Sequence, residues 1–226
     1  MIPPVSSYVF MKVLERAPAL YDDGMRLLAR GRLAAAHDAL AAAVAAPGAL
    51  LLDLGCGTAA VAIACARRGA RVHAVDPDAG MLDVARVRVR DAGLDDLIEL
   101  SELGGAELED RFEPESFDAV VSCLALSEMA PHEQRYCLLS ATSCLRRGGK
   151  LALVDEVRAP SFAGRLAQSL VRAPVAALTL VLARGSSRPV EDLAALARAA
   201  GLAVEEERRI GAGLALVVAR KREEGA

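Results

Sequence analysis

The chain has 226 residues, 54% of them hydrophobic and 25% charged, with a formal net charge of −3. That length suits a single domain with a core of its own, and the apolar share excludes a disordered chain. Lys and Arg are scattered without a basic stripe, so nucleic acid, whose binding needs clustered cations, is not an expected partner.

The cysteines (Cys56, Cys65, Cys123, Cys137 and Cys144) are irregularly spaced and form no C-x-x-C pair. They read as reduced, mostly buried thiols in a reducing compartment. The opening M-I-P-P-V-S-S-Y lacks the regions of a signal peptide. The apolar stretch at 173–183 is shorter than the roughly 20 residues a bilayer requires. No transmembrane segment is expected, and the reading is a cytoplasmic protein.

In chain order, residues 1–48 carry helical patterns at 9–15 and 25–44, punctuated by Pro18 and by Asp22, Asp23 and Gly24, and closed by Pro47 and Gly48. This segment is too short to bury a core alone, so it is expected to be a helical lid. From residue 49 strands alternate with helices. Strands are predicted at 49–54, 71–75, 97–101, 118–123 and 150–155, and helices at 58–68, 79–92 and 132–145. Strands apolar almost throughout, separated by amphipathic helices, imply a parallel sheet covered on both faces.

After 155 the alternation breaks for a segment, 156–188, longer than the usual connection of about 2–6 residues. Its position beyond the carboxyl end of a strand marks it as a substrate-side insertion. A helix at 190–200 and two β-rich runs, 203–210 and 213–220, joined by a short turn, close the chain. They read as a hairpin, so one of the two strands must run antiparallel to the rest. The expected fold is α/β, Rossmann-like and doubly wound, a mostly parallel seven-stranded sheet with a C-terminal antiparallel hairpin. Its parts would be a lid (1–48), a ligand-binding core (49–155), the insertion (156–188) and a closing helix and hairpin (189–226).

Chemistry concentrates at 50–60, L-L-L-D-L-G-C-G-T-A-A. An apolar strand ends in two glycines one residue apart and turns into a helix, whose first N–H groups offer donors to a carboxylate or phosphate. Gly55, Gly57 and Ala60 fit the dinucleotide fingerprint G-x-G-x-x-G/A, and Asp76 follows Gly55 by 21 residues. Asp53 discriminates between ligands. Its charge would repel a pyrophosphate but hold an ammonium group, and Asp76 can accept ribose hydroxyls. Both features suit S-adenosylmethionine better than a nicotinamide or flavin dinucleotide.

The run L-L-D-L-G-C-G-T at 51–58 resembles the first motif of class I S-adenosylmethionine-dependent methyltransferases. V-H-A-V-D-P-D-A-G-M-L at 72–82, S-F-D-A-V-V-S at 116–122 and C-L-R-R-G-G-K-L-A-L-V-D-E at 144–156 keep that family's order. The resemblance implies that Asp53, Gly55 and Gly57 hold the amino-acid end of the cofactor, Asp76 the ribose, and Pro77 and Met81 the adenine edge. Leu54, Cys56 and Cys123 complete the expected cofactor contacts. Where the family often has Asp-Ala after the third strand, this chain has Gly105 and Ala106, followed by Glu107. Adenine recognition is therefore expected from Glu107 or from backbone near Gly105 and Ala106.

Methyl transfer from a sulfonium is a direct displacement and needs a base only when the nucleophile must lose a proton. No catalytic dyad stands out and no metal site is expected. Glu128 and His132 follow the fourth strand on the substrate side, although Pro131, His132 and Glu133 also read as an ordinary helix start. Asp155 and Glu156, at the ligand edge of the fifth strand, are expected to bind a cationic substrate or to be solvated. Residues 6–33 resemble the opening of methyltransferases encoded with corrinoid proteins, through S-Y-V-F-M-K and Y-D-D-G. That resemblance implies a corrinoid-protein acceptor, or a small molecule handled with one, with Tyr8, Met11 and Tyr21 on the substrate side; the other reading has these three packing a helical lid over the cofactor. Two further classes stay open: a non-catalytic binding module and an NAD(P)-dependent oxidoreductase.

Overall fold

A strand that is apolar on both faces needs cover on both sides, and β1 (Leu50–Leu54) has it. Leu51 packs into one core layer with Leu40, Ile63 and Leu82. Leu52 and Leu54 pack into the other with Phe117, Leu138 and Leu193. Burying each such side chain contributes about 1.5–3 kcal/mol. The computed structural model describes residues 32–158, 188–210 and 213–223. Among them, no helix is long and apolar enough to cross a membrane.

After α1 (Arg32–Val44) come β1, α2 (Ala60–Ala66), β2 (Arg71–Asp76), α3 (Ala79–Asp91), β3 (Ile98–Glu102), α4 (Leu108–Arg111) and β4 (Phe117–Cys123). A 3₁₀ turn (Leu126–Glu128), α5 (Pro131–Cys144), β5 (Leu145–Glu156), α6 (Leu193–Ala199), β6 (Leu202–Ile210) and β7 (Leu214–Lys221) follow. The sheet order is β3-β2-β1-β4-β5-β7-β6. β7 is antiparallel to both β5 and β6, and the other pairs are parallel. The expected seven-stranded, mostly parallel sheet with its closing hairpin is the observed one, and β7 is the reversed strand.

Three details differ from expectation. β5 starts at Leu145, pairs with Phe117, and shifts register before Ala119 meets Lys150. The turn expected at Gly148 and Gly149 is thus a bulge inside the strand, where Gly148 adopts φ +72°. The short α4 and the 3₁₀ turn were not predicted, because three- and four-residue elements carry no periodicity. The predicted helix at 9–15, the first part of that at 25–44 and most of the 156–188 insertion lie outside the described residues. Val157, near the start of that segment, forms a parallel bridge with Val190, just beyond it, and the Arg188 N–H donates to the Ser127 carbonyl (2.8 Å).

Strand order reverses between β1 and β4, and the carboxyl ends of strands at such a switch point open a crevice. The loops after β1, β2 and β4 meet there.

Candidate active site

The chain leaves β1 through Gly55 (φ +69°), Gly57 (φ +52°) and Ala59 (φ +61°), three left-handed residues at alternate positions. Glycine takes this conformation without strain; Ala59 does so at a cost of about 1–2 kcal/mol. Several bonds fix the turn. The N–H groups of Gly55 and Cys56 donate to the Val75 carbonyl (2.9 and 3.0 Å). Gly57 N–H donates to Asp76 Oδ2 (2.8 Å) and Asp78 N–H to Asp76 Oδ1 (2.9 Å). Asp78 in turn caps α3, accepting from the N–H groups of Gly80 and Met81. Asp76 therefore does structural work at the strand end as well as facing the crevice.

Asp53 is 1% exposed. Its Oδ2 accepts from the Ala62 N–H (3.0 Å), while its Oδ1 is buried with no hydrogen-bond partner. One of the α2 donors expected to face a ligand is thus taken by the protein's own carboxylate. Burial pushes the Asp53 carboxyl up to about 7, opposed by the Ala62 bond and reinforced by the charge of Asp76. A buried unpartnered carboxylate oxygen is costly, and a ligand ammonium is the kind of group that relieves that cost. The residues present fit a zwitterionic cofactor. The glycines also let the turn pack closely on its neighbours, since a Cβ on Gly55 would lie 2.5 Å from Ala125 Cβ and one on Gly57 3.4 Å from Met81 Cε.

A cleft of about 1130 Å³ runs past these groups. Of the residues predicted to hold the cofactor, Asp53, Gly55, Cys56, Gly57, Asp76, Pro77, Met81 and Cys123 line it; Leu54, Gly105 and Ala106 do not. Leu54 sits in the core layer under α5. Gly105 faces α5, where a Cβ would come within 2.5 Å of Cys137 Sγ, so its missing side chain serves packing. Ala106 is exposed, and the Glu107 carboxylate accepts from Gly104 N–H (2.8 Å). Burial raises the thiols of Cys56 and Cys123 well above their ordinary range, with the nearby carboxylates adding to it.

On the substrate side Glu128 lines the cleft at its exposed rim. His132 is exposed in the first turn of α5 and is not among the lining residues. Glu133 caps that helix by accepting from Ala130 N–H (2.6 Å). Tyr8, Met11 and Tyr21 lie outside the described residues. Asp155 corrects an expectation: it is neither solvated nor open to a cationic substrate. It is 1% exposed and accepts from the N–H groups of Leu126 (2.8 Å), Ser127 (3.1 Å) and Glu156 (2.7 Å). Burial pushes it up to about 6 against those bonds. Asp155 thereby holds the 3₁₀ turn behind Leu124, whose φ of +62° stores about 1–3 kcal/mol of strain beside the site.

Sequence reasoning missed Thr58, Arg88, His37, Glu102, Leu124, Ala125 and Met129, all lining the cleft. Glu102 had a readable signal, since it ends β3 opposite Asp76 on β2. His37 had none. On α1, burial and then the charge of Arg88 push it down to about 4, so it is neutral near pH 7.

A family model described as a methyltransferase domain matches residues 51–149. A ubiquinone biosynthesis O-methyltransferase from Xanthomonas campestris pv. campestris (strain B100) is 36% identical over 126 residues, covering 55% of this chain and 50% of that protein. A demethylmenaquinone methyltransferase from Clavibacter sepedonicus is 31% identical over 180 residues, covering 74% of this chain and 71% of that protein. The chain thus spans half the length of the Xanthomonas relative and 71% of the Clavibacter one. Among solved structures, an O-methyltransferase family protein from Burkholderia thailandensis shares the fold with a TM-score of 0.72 at 22% identity, covering 92% of this chain and 60% of that one.

Proposed function

We propose that the chain, which belongs to the class I S-adenosylmethionine-dependent methyltransferases, moves the methyl group of that cofactor to a small-molecule acceptor with a quinone-type ring. The observation that carries the cofactor side is the buried, unpartnered Oδ1 of Asp53 beside the glycine turn. The acceptor class is supported by the ubiquinone and demethylmenaquinone named in the two relatives. It is supported too by the wall formed by Leu124, Ala125 and Met129, which suits an apolar ring.

The cofactor supplies an electrophilic methyl group on a sulfonium. Asp53 accepts from its ammonium, and Asp76 takes the ribose hydroxyls beside the N–H groups it already holds. Gly55, Cys56 and Gly57 let the amino-acid end approach the main chain. Pro77 and Met81 flank the adenine, and Cys123 closes the floor at the end of β4. The apolar wall excludes water and orients the acceptor, where alignment contributes most of the rate in a direct displacement. Glu128, at the rim, receives the proton when the acceptor is a hydroxyl. The five free, mostly buried cysteines support a reducing, cytoplasmic setting.

The segment at 6–33 favours a second reading, in which reduced cobalt in a corrinoid protein takes the methyl group and no base is needed. Incubation of the purified protein with methyl-labelled cofactor tests both. The acceptors to offer are a hydroxylated ubiquinone precursor, reduced demethylmenaquinone and a corrinoid protein. Label on a ring compound is the expected result. Label on cobalt alone would replace it with the second reading, and cofactor binding without transfer to any acceptor would favour a binding module.

A further inference from the structure

The loop after β4 is held from behind. Leu124, Ala125, Glu128 and Met129 line the cleft, whereas Leu126 and Ser127, between them, do not. Leu126 is fully buried in the core layer under α5. The loop has two sets of anchors. Its first two residues are fixed by the sheet and the glycine turn: Leu124 N–H donates to the Val154 carbonyl (2.8 Å), and Ala125 lies so close to Gly55 that a Cβ there would come within 2.5 Å of its own. The next residues are fixed by side chains. Asp155 Oδ2 accepts from the N–H groups of Leu126 and Ser127 (2.8 and 3.1 Å), donors at the start of the 3₁₀ turn that have no partner within it. Its Oδ1 accepts from Glu156 N–H (2.7 Å), which fixes the rotation of the carboxylate. Gln134, on α5, donates through Nε2 to the carbonyls of Leu126 (2.9 Å) and Met129 (3.3 Å). Asp155 is 1% exposed and Gln134 6%, and neither lines the cleft.

We propose that Asp155 is a positioning residue for the methyl acceptor, acting with Gln134 through the backbone of residues 126–129. The inference rests on the reading of this loop as the acceptor's wall. Without the Asp155 carboxylate two buried N–H groups lose their acceptor, and the turn shifts or admits water to satisfy them. Glu128 and Met129 then move relative to the cofactor, while Leu124 and Ala125 keep anchors of their own. The loss therefore falls on the alignment of the acceptor, where a misplacement of about 1 Å costs about 100-fold in rate. Cofactor binding is spared.

The test measures methyl transfer from labelled S-adenosylmethionine to reduced demethylmenaquinone or a hydroxylated ubiquinone precursor, whichever the wild type methylates, beside calorimetric titration with S-adenosylhomocysteine. The variants are Asp155→Ala, Asp155→Asn and Gln134→Met. Asp155→Ala is expected to lower kcat/KM for the acceptor about 100-fold, through a lower kcat and a higher acceptor KM. The same variant should bind S-adenosylhomocysteine within about twofold of wild type, on the scale of surface substitutions. Asparagine at 155 restores part of the loss, because its amide oxygen can accept from Leu126 and Ser127 in place of Oδ2. Gln134→Met lowers the same parameter about tenfold, the scale of two lost hydrogen bonds. Hydrogen exchange at the Leu126 and Ser127 amides should be slow in the wild type and fast in Asp155→Ala. Unchanged kcat/KM in Asp155→Ala overturns the proposal. So does an equal loss of transfer and of S-adenosylhomocysteine affinity, which would mark Asp155 as merely structural. If Asp155→Ala gives no cooperative melt, Gln134→Met carries the same comparison. A wild type that binds S-adenosylhomocysteine but methylates neither ring compound would instead defeat the acceptor reading on which the proposal rests.

Discussion

Asp53→Asn is expected to weaken S-adenosylhomocysteine binding about 10- to 150-fold, the range for losing a charge-assisted hydrogen bond of about 1.5–3 kcal/mol. It should also flatten the dependence of ligand-free stability on pH. Burial raises the folded-state pKa of Asp53 from 3.8 to about 7. A carboxyl raised in this way contributes stability that is complete below about 3.8 and is lost as pH rises through about 7. Asp53 should therefore lower the melting temperature of the ligand-free wild type progressively between pH 5 and pH 8, whereas the asparagine variant keeps only the smaller contributions of Asp155, raised to about 6, and His37, lowered to about 4, which act in opposite directions. Ligand affinity should run the other way in the wild type, rising over the same interval as Asp53 becomes the anion that an ammonium prefers. Calorimetry at pH 6 and pH 8 with melting curves over the same range checks both halves. Equal affinity in the two proteins, or parallel melting profiles, would remove Asp53 from the site.

Gly55→Ala should damage both the fold and the site. The added Cβ would lie 2.5 Å from Ala125 Cβ, closer than real Cβ contacts allow, at a backbone φ of +69°. Overpacking costs about 1–3 kcal/mol and the left-handed angle about 1–2 kcal/mol. For a chain of this size each kcal/mol lowers Tm by about 2–4 °C, so a fall of about 5–15 °C is expected. Cofactor binding should be lost as well, because the methyl group pushes the glycine turn and the Leu124–Ala125 loop apart. Ala125→Gly in the same chain relieves the contact but leaves the backbone angle, so it should recover about half of the loss in Tm. Melting curves of the two variants measure this. A single variant within about 2 °C of wild type, the scale of a surface change, would mean that the two turns are not held against each other.

The sheet was legible because its strands bury both faces and its helices bury one, which writes two different periods into the chain. The cofactor wall was legible for a related reason. Asp53 and Asp76 end adjacent parallel strands, paired through Asp53 with Ala74 and Leu54 with Val75, so a spacing in sequence became a spacing in space. Arg88 was not legible. It belongs to a helix whose outer face carries Arg86 and Arg90, and only the packing of α3 against the glycine turn separates it from those solvated neighbours. Asp155 was misread because its place at the strand end is the same whether its side chain turns outward or, as here, back to three backbone N–H groups. Gly105 fitted a ligand role by position, yet the contact that requires a glycine comes from Cys137, 32 residues later on α5.

Through Asp53, the turn after β1 is expected to select a zwitterionic cofactor over a pyrophosphate. Calorimetric titration of the wild type with S-adenosylhomocysteine and, separately, with NADH tests it most directly. The expected result is a saturable one-to-one isotherm for S-adenosylhomocysteine and no saturable heat for NADH. Tight binding of NADH with none of S-adenosylhomocysteine would contradict it.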